Sequence, residues 1–209
     1  MSALTACNRN GCSLSRKNEA RIYVGMATLT EFNLAEAIAI LTRTPGTLNA
    51  LLSGMPNTWV HCNEGKDSWS AFEIVGHLIV GESTDWMPRV RVILEHGDAR
   101  PFEPFDRFAQ KKESQNKPMQ ELLDDFARLR IKNIAALQAL NLQENDLTRR
   151  GRHPALGAVT LSELLATWAV HDLTHLHQLS RVMAHQFRDA VGPWKAYLGV
   201  LQCNGHSAP

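Results

Sequence analysis

The sequence predicts an all-α chain, a four-helix bundle. Apolar residues recur at three- and four-residue intervals through most of the chain. Capping pairs open several of these stretches, and alternating strand patterns are nearly absent. Arg21–Gly25, the nearest thing to a strand, is too short to build a sheet. Four amphipathic helices must bury their apolar stripes against one another, which is what a bundle does.

The first 25 residues are polar, Ser/Asn-rich and without a sustained period, and read as a flexible N-terminal extension. Met26 precedes the first helical pattern, so the natural start is expected there, with 26–209 forming the bundle domain. Thr28-x-x-Glu31 is a capping-box pattern that opens Leu34, Ile38 and Leu41. Pro45-Gly46 interrupts this stretch, so helix one is expected to be kinked or divided before Leu48, Leu51 and Leu52. Ser70-x-x-Glu73 caps a second helix through Ile74, Leu78, Trp86 and Val90 to Leu94, with a bend expected at Pro88. Leu122, Phe126, Leu129, Ile134 and Leu137 mark a third. Thr160-x-x-Glu163 caps a fourth that runs through Trp168 and Leu176 to Met183, and a short piece at Trp194–Leu201 closes the chain. The aperiodic linker between helices two and three, about 20 residues, is longer than a tight antiparallel connection needs and is long enough to cross over the bundle.

Composition excludes several functional classes. The chain has 209 residues, 44% hydrophobic and 21% charged, with a formal net charge of +1, too apolar and too neutral for a disordered chain. Near-neutrality offers no basic face for nucleic acid. The longest hydrophobic run is Ala37–Leu41, where a membrane span needs about 20 residues. Cys7, Cys12, Cys62 and Cys203 form no C-x-x-C pair and no disulfide framework, and the N-terminus lacks the apolar centre of a secretory signal. A cytoplasmic protein with free thiols is expected.

The nine histidines are more numerous than either Phe (7) or Trp (5). His171 and His175 lie four apart on a predicted helix, roughly 40° apart around its axis, so both rings can converge on one metal ion. Gln178 follows on the same stripe, whereas His177 points elsewhere. The spacing alone is a weak signal and more often marks buried structural histidines than a metal pair. A third ligand must come from another helix, and His77 is the best candidate. It sits in an apolar stretch where a polar group needs a partner, and Gly76 and Gly81 leave room beside it. His153, in Gly-Arg-His-Pro, reads as a loop residue fixing a turn.

These motifs together resemble the DinB-like metal-binding four-helix superfamily, which includes bacillithiol- and mycothiol-dependent S-transferases. The resemblance runs from about Met26 to Leu201. It rests on Trp69-Ser70, His77-Leu78 with Glu82, Gly151-Arg-His-Pro154, Val159-Thr-Leu161, His171-Asp-x-x-His175-x-x-Gln178 and Val191-Gly-Pro-Trp194. It implies an up-down-down-up helix order, a homodimer, and a divalent metal, zinc or nickel, on His77, His171 and His175.

Three neutral imidazoles with an open position make a catalytic arrangement rather than a closed structural one. The first expectation is therefore a metal-dependent thiol S-transferase acting on a small molecule, the metal activating a low-molecular-weight thiol. The alternatives are a metal-dependent hydrolase using metal-bound water and a non-catalytic, stress-related metal-binding protein. No protein side chain is assigned as catalytic. Glu73 and Gln178 are expected to orient the ligand rings. Arg152 is a candidate for binding a substrate carboxylate. Glu82 is expected to make an interhelical contact, and Asp172 a packing or capping one.

Overall fold

The computed structural model describes residues 32–66, 68–106, 109–110, 114 and 116–203. The extension, Arg21–Gly25, the Thr28/Glu31 pair, Cys7 and Cys12 all lie outside these residues. Helix α1 spans Leu34–Leu52, and Asn33 caps it by accepting from Ala35 N and Glu36 N. Of the two expected outcomes at Pro45 the division does not occur: α1 runs through the proline as one helix. Proline has no N–H, so the carbonyl four residues back, Leu41, loses its helical donor. Arg130 Nη1 donates to that carbonyl at 2.9 Å instead.

After the single turn α2 (Asn57–Val60), α3 covers Ala71–Thr84 behind the expected Ser70/Glu73 capping box. Helix α4 is Trp86–His96. The disruption expected at Pro88 falls at Asp85 (φ −110°, ψ −65°), where α3 ends and α4 begins. Pro88 cannot donate to Thr84 and its ring crowds that carbonyl, so the disruption appears one turn before the proline. Helix α5 is Met119–Ala139, α6 is the turn Glu144–Leu147, and α7 is Leu161–His185 behind the Thr160/Glu163 box. The closing piece is two 3₁₀ turns, Gly192–Tyr197 and Gly199–Leu201.

A two-stranded antiparallel hairpin, unforeseen in the sequence, precedes α7. Strand β1 (Arg150–His153) pairs with β2 (Gly157–Thr160). Pro101 bridges to Arg152, and Phe102 N donates to Arg152 O at 2.9 Å, so the segment after α4 lies along β1. Gly151 faces the core. A Cβ there would stand 2.6 Å from Ile93 and 2.8 Å from the Phe102 ring, so only glycine lets the hairpin close on α4.

Helix α5 packs against α1 and α3, and α7 against α1, α3 and α4. The apolar residues form two clusters. One gathers Leu41, Trp86, Val90, Ile93, Ile134, Leu137, Leu165 and Trp168. The other gathers Leu48, Leu52, Ile74, Leu78, Leu122, Phe126, Leu179 and Val182. Along α1 and α7 the chain passes from the first to the second; along α3–α4 and α5 it passes from the second to the first. On each long helix a buried polar residue falls between the two stretches: Thr44, Glu82, Arg130 and Asp172. Among the described residues no helix is long and apolar enough to cross a membrane.

Arg130 holds this polar layer together. Its Nη1 and Nη2 reach Asp172 at 2.5 and 2.9 Å, and Nη2 reaches Glu82 at 2.8 Å. Asn133 Nδ2 and Trp168 Nε1 complete the Glu82 carboxylate at 3.0 and 2.9 Å. Burial works against the guanidinium charge, but Asp172 and Glu82 outweigh it and raise the Arg130 pKa. Arg130→Met would leave two buried carboxylates without their cation, at a cost of roughly 3–5 kcal/mol. Urea unfolding is expected to show a loss of that size; a change within error would contradict the hub.

Candidate metal centre

His77 comes from α3, and His171 and His175 from α7. His171 Nε2 lies 3.1 Å from both His77 Nε2 and His175 Nε2. The three rings offer ligand atoms that all lie within 4.8 Å of one another, a grouping that can hold a metal ion. The helical interval from His171 to His175 and the crossing of α7 over α3 produce the convergence. Asp172 and Glu82, beside these ligands on their own helices, are fixed by Arg130, which sets the rotation of both helices about their axes.

The protonation pattern suits a cation. His175 Nδ1 lies 2.9 Å from Gln178 Oε1, an oxygen that can only accept, so the proton sits on Nδ1 and Nε2 keeps its lone pair. Burial, then the neighbouring His175, His77 and Arg130, depress His171 to about 2. Burial lowers His175 as well, against the opposing pull of Gln178 and Asp172. Neutral imidazole nitrogens facing one another leave lone pairs that an ion at about 2.0–2.1 Å would satisfy. Nitrogen donors of this kind fit zinc, nickel, copper or iron.

Aromatic rings fix the histidines. The Trp69 ring centroid lies 4.8 Å from that of His77, and Trp86 meets His171 edge-on at 5.1 Å. Trp86 also stacks on Trp168 at 5.7 Å. Gly76 and Gly81, expected to open space, do so differently. A Cβ on Gly76 would press on Ser114 and Gln110, while one on Gly81 would stand 3.2 Å from Trp86 Nε1. A cavity of about 270 Å³ opens from His77 and His171, lined also by Gly81, Asp85, Trp86, Arg89, Phe102, Phe105 and His153.

The remaining candidates divide. Gln178 lies where an orienting residue belongs. Among the described residues the hydrogen bonds of the Glu73 carboxylate go to Ser70 N and Oγ (2.9 and 3.0 Å). The same carboxylate was expected to orient His77, but a capping box requires it at the helix start. Arg152 is exposed and does not line the cavity; strand alternation turns Gly151 inward and Arg152 outward. His153 fixes its turn as expected, its Nδ1 accepting from Ala155 N and Leu156 N at 3.2 and 3.1 Å. Glu82 makes an interhelical contact and Asp172 a packing one. His177 is exposed. Cys62 and Cys203 are free, and neither lines the cavity.

Arg89, which the sequence reading missed, is the cavity's cation. It pairs with Asp85 at 2.5 Å, each side chain 11% exposed. Burial, the larger influence, raises Asp85 to about 6 against the lowering effect of Arg89.

Residues 40–179 match the DinB superfamily. The chain belongs to the DinB superfamily. Among solved structures, this DinB chain is similar to YfiT of Bacillus subtilis, described as "a probable metal-dependent hydrolase with an unusual four-helix bundle topology". The two are 18% identical, with a TM-score of 0.65 over 78% of this chain and 93% of YfiT. TT2238, described as a four-helix bundle protein, is 19% identical with a TM-score of 0.45 over 70% of this chain and 98% of its own. No curated protein matches the sequence.

Two outcomes are expected for this DinB centre. Gln178→Ala frees the His175 ring and should weaken metal binding by about 10–100-fold, measured by competition with a chromophoric chelator; unchanged affinity would refute the orienting role. The second concerns pH. In the unfolded chain the imidazoles take up protons as pH falls through about 6.5. The folded chain keeps His171 neutral to far lower pH, so acid favours unfolding. Metal-free protein should lose melting temperature as pH falls from about 7 to about 5, and His171→Asn should shrink that loss. Equal pH profiles would contradict it.

Proposed function

We propose that the chain is a metal-dependent thiol S-transferase, with a divalent ion, zinc or nickel, on His77, His171 and His175 that activates a low-molecular-weight thiol. The observation that supports it best is a cluster of three histidine nitrogens with no carboxylate among them, two of whose rings, His77 and His171, line a mostly apolar cavity. On such a donor set a divalent ion keeps its full charge and lowers the pKa of a thiol or water beside it.

The chain's own residues do the rest. Gln178 keeps the His175 lone pair directed inward. Trp86, Phe102 and Phe105 give the cavity an apolar wall where an electrophile can rest with little water. Among the described residues the cavity lining contains no Cys, so the sulfur comes from a diffusible thiol.

A hydrolase is the second reading, favoured by the description of YfiT. One assay separates the readings. Protein loaded with zinc or nickel is incubated with glutathione, bacillithiol or mycothiol and a chlorinated aromatic electrophile. The expected result is a thioether adduct that depends on the metal and disappears in His171→Ala. Ester or amide turnover without thiol, and no adduct, would overturn the proposal in favour of the hydrolase. Neither product from a metal-loaded chain would favour a non-catalytic metal-binding protein.

A further inference from the structure

One stripe of the cavity wall carries a chemistry that the three histidines do not use. His77, Gly81, Asp85 and Arg89 follow at intervals of four, and all four line the cavity. The stripe therefore runs from the metal ligands at one end to a guanidinium at the other. Gly81 between them presents no side chain, and its place is bordered by the Trp86 indole.

Arg89 is held as a recognition group rather than as a solvated surface charge. Its guanidinium lies 5.3 Å from the centre of the Phe102 ring, which fixes its plane. Nη2 pairs with Asp85 Oδ1. A guanidinium has five N–H donors in a rigid fork, so one such pairing leaves most of them for a ligand. His153 lines the cavity close to it. Because His153 Nδ1 accepts two backbone N–H groups, the neutral ring carries its proton on Nε2, a second donor. Burial and the nearby Arg89 both lower the His153 pKa, which keeps this ring neutral and its donor in place. The other carboxylate of the lining, Glu163, is engaged by Thr160 N in the α7 cap.

We propose that this cavity takes an elongated carboxylate. The Arg89 guanidinium and His153 Nε2–H hold its anionic end, and its apolar body lies along Trp86 and Phe102 towards the three histidines. This names the substrate class of the site above and rests on that reading only for which end of the molecule reacts. Asp85 competes with the ligand for Arg89, so it tunes affinity downward. The role first considered for Arg152 falls to Arg89, which has the burial and the position that Arg152 lacks.

Calorimetric titration of the metal-free full chain with 3-phenylpropanoate and its neutral amide tests this, because no metal can then attract the carboxylate. The acid should bind about tenfold or more tightly than the amide, the scale of a desolvated charge-assisted pair. Arg89→Met should abolish the difference. Asp85→Asn should widen it, a gain that misfolding cannot produce. Equal affinity for acid and amide, a preference that survives Arg89→Met, or an Asp85→Asn chain with no gain would each overturn the proposal. Metal uptake is measured on the same samples. A chain that binds no metal but prefers the acid refutes the metal reading and leaves this one standing.

Discussion

The structure turns on one guanidinium. Arg130 leaves α5 and reaches the Leu41 carbonyl on α1, Glu82 on α3 and Asp172 on α7, so a single side chain touches all four long helices. It lies 1% exposed between two apolar clusters, where hydrophobic burial alone would tolerate several rotations of each helix. The hydrogen-bond fork permits one. The guanidinium also lies over the Phe126 and Trp168 rings, 4.8 and 5.4 Å from their centres.

That constraint also decides the chemistry of the histidine cluster. Asp172 adjoins His171 in sequence and Glu82 lies five residues after His77. Either carboxylate would be an attractive ligand for a cation. Both are engaged instead, Asp172 by Arg130 and Glu82 by Arg130, Asn133 and Trp168. The donor set therefore stays all-nitrogen and uncharged. The anionic groups sit one layer behind it, where they position helices rather than offset the charge of an ion.

The helices and the histidine cluster were legible in the sequence for the same reason: both are written in local spacing. An interval of four puts His171 and His175 together on any helix, and capping boxes at Ser70 and Thr160 marked helix starts that the structure keeps. What was missed depends on tertiary partners. The hairpin strands have four residues each, too few to show a period, and only the fit of Gly151 against Ile93 and Phe102 explains them. Arg130 stands between Arg128 and Lys132, and nothing in that charged neighbourhood singles it out. Its position four after Phe126 and four before Ile134 was the available signal, since that places it on the apolar stripe. Arg89 carried a similar signal, one turn after Asp85. Glu73 shows the reverse error, because one carboxylate was given two tasks and the helix end required it.

Pro45 gives α1 a property that reaches beyond its own geometry. Most helix carbonyls are already paired and offer little to a neighbouring chain segment. Leu41 is an exception that Pro45 creates within α1, and it stands where the Arg130 fork ends. A α1 displaced along its axis by one turn would bring a saturated carbonyl to that fork and bury the open one against hydrocarbon. The helix is thus keyed like a lock bolt with a single notch. Sliding, the cheapest misalignment available to a smooth apolar rod, becomes the one that the bundle rejects.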